Sequence, residues 1–164
     1  SLVVDYAPNA LGQATQAGTF ASGATYHPDG SLAQFTYGNG IVHTMTRNAR
    51  GLPGQIVDLD PATGTRVLDE ALDYDQHGNV LAITDGATGR FQRGNRDMAY
   101  DGLDRLMSAV SPLFGTASYG YDVLDNLTRV SVTGGSNPRD HWYAYDGSNR
   151  LTNVRTGSSS GVVM

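Results

Sequence analysis

Residues 157–161, Gly157-Ser158-Ser159-Ser160-Gly161, spell the G-x-S-x-G elbow on which α/β-hydrolases mount a nucleophilic serine. Their context does not match that chemistry. The elbow needs a buried strand before it and a helix after it, whereas Ser159 stands in a run of Ser and Gly. Asp58, Asp60 and Gly64 resemble a fragment of a calcium loop, but the glycine is displaced and no Glu stands at the twelfth position. A hairpin turn over Asp60-Pro61-Ala62-Thr63-Gly64 accounts for them better. The four histidines, His27, His43, His77 and His141, lie 16, 34 and 64 residues apart, which is no metal-ligand spacing, although distant residues can converge in space. His27 and His77 fall at turn positions and are expected to be solvated. With no Cys there is neither a thiolate metal site nor a disulfide. No metal, cofactor or catalytic residue is expected.

Aspartates at 75, 101, 122 and 146 resemble catalytic carboxylates, but a catalytic residue need occur only once. These recur, each behind a tyrosine: Tyr74-Asp75, Tyr100-Asp101, Tyr121-Asp122 and Tyr145-Asp146. The copies read YDQHGNVL, YDGLDRL, YDVLDNL and YDGSNRL. In each, Tyr closes one strand and Leu or Val opens the next, with five turn residues between. The Asp side chain can accept a backbone N–H two or three residues on. Gly78, or Asn and Asp near the end of the turn, tolerates the left-handed backbone that closes it. The unit is thus a β-hairpin whose Tyr and Leu can pack across the strands. Its repeat residues are Tyr74, Asp75, Gly78, Asn79, Tyr100, Asp101, Tyr121, Asp122, Asn126, Tyr145, Asp146 and Asn149. Weaker copies precede them at Tyr6–Gln13, Tyr26–Leu32, Tyr37–Ile41 and Thr46–Leu52; in the last, Thr46 takes the place of Tyr.

A period of about 20–25 residues is two strands plus two turns. Residues 2–6 are β-rich ahead of the Pro8-Asn9-Ala10-Leu11-Gly12 turn, Asn39-Gly40 is a strong hairpin signal, and residues 41–46 alternate as a half-buried strand should. Residues 55–72 give a further hairpin. The one hint of helix, Val67–Leu72, is too short to stand alone. Residues 86–95 are the longest loop, and the whole makes roughly 14 short strands. At about 4.8 Å per strand, so wide a sheet must curl, split or close. The fold class is all-β, with antiparallel β-hairpin repeats forming a curved sheet over residues 1–156. A flexible Ser/Gly-rich tail follows at 157–164.

The chain of 164 residues carries a net charge of −5 and 39% hydrophobic residues, with 21 Gly and a single Trp. That balance suits a thin layer of medium-sized side chains rather than a thick core. Scattered arginines and a pI near 5.1 argue against nucleic-acid binding. No apolar run reaches the roughly 18 residues of a membrane span. Both ends read as cuts through a larger protein. Terminal strands carrying Val3, Val4, Val162 and Val163 would then present unpaired edges able to self-associate.

The four clear copies resemble the YD repeats of the RHS (rearrangement hotspot) family, from Asp73 to Val154 plainly and more loosely before that. The resemblance implies relatives among bacterial polymorphic toxins, insecticidal toxin-complex components and teneurins, whose YD repeats build a sheet that spirals into a hollow shell. In the bacterial toxins that shell encloses a C-terminal toxic domain. It further implies a secreted or cell-surface bacterial protein. The partners would be the rest of the RHS shell and its toxin cargo. The family's core segment with its self-cleavage site does not occur in these residues, so no protease or toxin activity carries over. The other reading is a carbohydrate- or receptor-binding repeat module. A Trp142 ring standing on the sheet face with polar neighbours would favour binding, and burial of that ring would favour the scaffold.

Overall fold

The structure, a computed structural model, describes residues 4–164. Of the β-rich stretch read over residues 2–6, Leu2 and Val3 lie outside the described residues, as does Ser1. Val4, Asp5 and Tyr6 are not in a strand. Their backbone is engaged otherwise: the Tyr6 carbonyl accepts the N–H of Thr15 and the Asp5 carbonyl that of Gly18, while Asp5 Oδ1 takes the Ala7 N–H.

Thirteen strands follow: β1 (Ala21–Tyr26), β2 (Leu32–Tyr37), β3 (Val42–Arg47), β4 (Pro53–Asp60), β5 (Thr65–Tyr74), β6 (Val80–Asp85), β7 (Arg96–Tyr100), β8 (Leu106–Ser111), β9 (Gly115–Tyr121), β10 (Leu127–Thr133), β11 (Arg139–Tyr145), β12 (Leu151–Thr156) and β13 (Val162–Val163). They form one antiparallel sheet whose spatial order is the chain order. Nearly every connection is therefore a hairpin, as the spacing of turn residues predicts. Thirteen strands among the described residues stand beside the roughly fourteen expected. Val67–Leu72 lies inside β5, where pairing to β4 overrides its weak helical pattern. Inside the stretch read as a flexible tail, Val162 and Val163 pair with Thr156 and Arg155 of β12.

Two compact units divide the chain, one of residues up to Asp73 with Thr84–Arg93, the other of Tyr74–Ile83 with Gly94–Met164. In the first, the loop after β6 folds back on β5. The Gly86 N–H donates to the Asp69 carbonyl at 2.8 Å and the Thr88 N–H to that of Arg66 at 3.0 Å. Asp69, only 3% exposed, is held by Gln55 Nε2 at 2.7 Å and by Arg66. A Cβ on Gly86 would lie 2.5 Å from Asp69 Oδ2, so the glycine admits this close approach. The 3-10 turn Gly89–Phe91 sits in that loop.

The second unit buries Ala109, Ala117, Val132 and Ser111 between short strands. Among the described residues no large side chain is fully buried, while Leu103, Val123 and Leu124 at the turns are exposed. The layer is thin, as the composition predicts. Hydrophobic burial per residue is modest in such a sheet, and backbone pairing together with turn hydrogen bonds must carry much of the specificity.

Candidate functional site

The repeat residues converge on a row of turns built to one plan. In each, the N–H of the first turn residue donates to the carbonyl of the fifth: Asp75 to Asn79 at 2.9 Å, Asp101 to Arg105, Asp122 to Asn126 and Asp146 to Arg150, each at 3.0 Å. The aspartate then folds over its own loop. Asp122 Oδ1 accepts the N–H groups of Leu124 (2.8 Å) and Asn126 (2.9 Å), and Oδ2 accepts Asn126 Nδ2 at 2.9 Å. Asp75 does the same with His77, Gly78 and Asn79, and Asp101 and Asp146 use the Arg105 and Arg150 guanidinium in place of the amide. The backbone donors therefore lie two and four residues on, with the third residue's N–H added at Asp75. The fourth turn residue is always left-handed: Gly78 (φ 97°), Asp104 (61°), Asp125 (64°) and Asn149 (59°). Only Gly, Asn or Asp adopts that conformation readily, which is why the fourth position is so restricted.

The weaker copies obey the same plan, that of Tyr26–Leu32 in the register read from the sequence and the other three in a shifted one. Asn9, not Tyr6, starts the first turn, with its Oδ1 accepting Leu11 and Gln13 N–H and Gly12 left-handed. His27 starts the next, bonding Ser31 through the backbone. Tyr37 itself occupies the aspartate position before Gly38-Asn39-Gly40. Asn48 caps the turn to Leu52, so Arg47, rather than Thr46, takes the tyrosine position. In each hairpin the residue before the turn faces the residue six positions on, as in Tyr26↔Leu32, Arg47↔Pro53, Tyr100↔Leu106, Tyr121↔Leu127 and Tyr145↔Leu151. The ladder is offset beside most of these pairs, the signature of a bulge.

Sequence reasoning missed what the tyrosines do with their hydroxyls. Three reach back to the carbonyl of the strand-opening residue of an earlier repeat, Tyr100 to Val80 (3.0 Å), Tyr121 to Leu106 (3.0 Å) and Tyr145 to Leu127 (2.9 Å), and Tyr26 reaches that of Ala14 (2.5 Å), which lies in an isolated bridge ahead of β1. Partial burial raises the phenol pKa of Tyr74, Tyr100 and Tyr121, keeping the hydroxyl protonated as a donor. The acceptor and the tyrosine lie 20, 15, 18 and 12 residues apart, so no fixed spacing announced the contact.

Side chains also tie one turn to the next. Asp104 Oδ1 accepts Asn79 Nδ2 at 2.8 Å and lies 2.6 Å from His77 Nδ1. Arg105 Nη1 donates to Asp125 Oδ1 at 2.7 Å and to the Asp122 carbonyl at 3.2 Å, its guanidinium 4.8 Å from the Tyr121 ring centroid. The hydrogen bond to Asp104 raises the His77 pKa, and the same bond, with that from Asn79, lowers that of Asp104. Asp75 and Asp122 are lowered chiefly by the Asn79 and Asn126 amides, Asp101 chiefly by the Arg105 guanidinium, and Asp146 by the Arg150 backbone and side chain.

One convergence was not legible in the spacing of the histidines. Asp75, His77 and Asp104 place ligand-type atoms within 4.8 Å of one another. Their oxygens already accept the turn's own N–H groups, Asn79 and His77, so the arrangement serves hydrogen bonding. His77 is thus paired, and His27 is not merely solvated, since its Nε2 lies 2.8 Å from the Met45 carbonyl. His43 Nδ1 meets Asp58 at 2.6 Å because β3 and β4 set them opposite each other. Asp60, on the other hand, accepts Ala62 N–H and Thr63 Oγ1 within its own turn, so the two aspartates serve different partners. Ser159 lies in the turn between β12 and β13, with no helix after it among the described residues. The half-buried Trp142 has the Arg129 guanidinium over its ring, 4.6 Å from the centroid, and Arg129 in turn holds Asp140 at 2.8 and 2.9 Å.

Residues 100–136, which run from Tyr100 through the 101–105 and 122–126 turns into the following loop, match the family model "RHS Repeat". No curated protein matches the chain. Solved structures do. The crystal structure of TcdB2-TccC3 without its hypervariable C-terminal region aligns with TM-score 0.78 and 20% identity over 91% of this chain. The Tc holotoxin pore of Photorhabdus luminescens aligns at 0.76 and 19% over 96%, and the TcdB2-TccC3-Cdc42 structure at 0.75 and 21% over 90%. The chain spans 9% of the length of each of these chains. At such identities the likeness shows the fold. Residues 100–136 thus carry an RHS repeat, in a chain with a YD turn at each clear copy and a fold similar to the sheet of these toxin-complex structures.

Proposed function

We propose that the chain is a wall segment of an RHS-type shell that encloses a toxic cargo domain, in a secreted bacterial toxin, and that it performs no catalysis of its own. The RHS repeat is a structural scaffold rather than a known enzyme family. The observation that carries the reading is the tyrosine ladder. Each repeat donates its hydroxyl to the previous one, so the sheet is stitched by identical contacts and can be lengthened without a thick core. A continuous wall needs that property, and a compact domain does not. The rest of the wall and the cargo are its partners.

The test is limited proteolysis of the full-length protein that carries this chain. Its cargo domain should resist protease in the parent and become cleavable when Tyr100, Tyr121 and Tyr145 are all changed to Phe. Cargo cleaved equally fast in both would contradict encapsulation by this wall.

A further inference from the structure

We propose that the turns 75–79, 101–105 and 122–126 form a docking ridge for a cationic segment of another protein, with Leu103, Val123 and Leu124 as its apolar anchors. Such docking is independent of whether the wall encloses a cargo.

Apolar side chains stand here where the turn plan asks for none. In these turns the plan needs an aspartate at the first position and a left-handed residue at the fourth, while the second and third positions contribute backbone alone. Gly147 and Ser148 fill them in the 146–150 turn, where Asp146 Oδ1 accepts the Ser148 and Arg150 N–H groups at 2.8 and 3.0 Å. Leu103 and Leu124 hold the same third position as Ser148, and their N–H groups make the same bond, to Asp101 at 2.9 Å and to Asp122 at 2.8 Å. The turn thus forms without help from their side chains, which are 69% and 60% exposed, with neighbouring Val123 at 97%. Exposed apolar residues grouped within a polar rim mark a surface that another molecule covers.

Side-chain bridges join the three turns into one surface. His77 and Asn79 reach Asp104 of the next turn, and Arg105 reaches Asp125 of the one after. The charge of the chain also collects on this ridge. Its fifteen residues hold five aspartates against one arginine, a net −4 with His77 neutral, out of −5 for all 164 residues. Hydrogen bonds from Asn79, Arg105, His77 and Asn126 lower the pKa values of Asp75, Asp101, Asp104 and Asp122 in turn, so these carboxylates stay ionised. The side chains of Asp104 and Asp125 are 48% and 70% exposed beside the apolar tips.

That charge selects the occupant. Nucleic acid, an anionic lipid surface and the same ridge of a second copy are all repelled at close range, whereas lysine and arginine side chains are drawn in. The anchors require the segment to carry leucine-like side chains among its cations, since cations alone would leave Leu103, Val123 and Leu124 in water.

The test titrates the full chain with three synthetic peptides, one alternating Leu and Lys, one with Gly in place of Leu, and one with Glu in place of Lys. The Leu-Lys peptide should bind and shift the amide NMR signals of residues 102–104 and 123–125, with an affinity that falls as salt rises from about 0.05 M to about 0.5 M. The Gly-Lys and Leu-Glu peptides should each bind at least about tenfold more weakly. Changing the anchors together, Leu103→Ser, Val123→Ser and Leu124→Ser, should weaken Leu-Lys binding by about tenfold at an unchanged urea midpoint. Val123→Thr, close in shape to the parent, is the second variant should the triple one fail to fold, and it too should weaken binding without moving the midpoint. Gly-Lys bound as tightly as Leu-Lys would reduce the ridge to a charge effect and overturn the proposal. Equal binding of Leu-Glu, or undiminished binding by the folded anchor variants, would overturn it as well.

Discussion

A single residue position, the first of each turn, governs much of the behaviour expected of this protein with pH. The carboxyls of Asp75, Asp101, Asp122 and Asp146 are depressed below their ordinary value of 3.8 by donors that exist only in the folded turn. Their contribution to stability is therefore complete above that value and lost as pH falls through the depressed folded values. His77 works in the opposite direction. Asp104 raises its folded pKa above 6.5, so the pair contributes fully below that pH and fades as pH rises through the folded value. Chemical denaturation from pH 2 to 9 should show a steep loss below about pH 4 and a small decline above neutrality that His77→Gln removes. A flat profile below pH 4 would mean that the aspartates do not cap. Gly78, at φ 97°, should not accept a β-branched side chain. Gly78→Val is expected to cost about 1–3 kcal/mol, measured as a lower urea midpoint at unchanged slope.

Among the elements, the hairpin was legible wherever the sequence spells Tyr-Asp and obscure wherever another residue takes over the same backbone role. Asp75, Asp101, Asp122 and Asp146 were found because the pair is distinctive. His27 was found in register behind Tyr26, but Asn9, Tyr37 and Asn48 were not, because the plan constrains the turn backbone and its fourth, left-handed residue more tightly than its first side chain. Gly12, Gly30, Gly40 and Gly51 were the better guides. The tyrosine hydroxyl contacts and the Arg105 bridge lay beyond reach, since both join residues 15 to 20 positions apart whose meeting depends on sheet order. Equivalence of the turns makes a prediction at this scale. Asn48→Asp should be tolerated with little change in thermal midpoint, because its Oδ1 already accepts the Arg50 and Leu52 N–H groups as the aspartates do. Asp122→Ala should lower that midpoint, while Val123→Ala, at a side chain 97% exposed, should leave it unchanged.

For the whole molecule, thinness follows from composition and openness from topology. A sheet whose order is its chain order has two edges, and among the described residues no strand lies beyond Leu151–Asn153 at one of them. Bare edges pair with other strands. The protein should therefore self-associate as concentration rises, seen by size-exclusion chromatography with light scattering. Lysine at Thr152 should reduce the association, and a strictly monomeric species at high concentration would speak against an open edge. Of the valines read as sticky ends, Val162 and Val163 lie in β13, Val4 is outside any strand, and Val3 falls outside the described residues. The central claim is that identical tyrosine-to-carbonyl contacts, rather than a thick core, stitch the repeats together. It is tested most directly by the urea midpoints of Tyr→Phe variants at 26, 100, 121 and 145, set against Tyr143→Phe, whose hydroxyl has no partner among the described residues. The account predicts a loss of about 0.5–1.5 kcal/mol for each of the four and none at 143. Four variants indistinguishable from the control would contradict it.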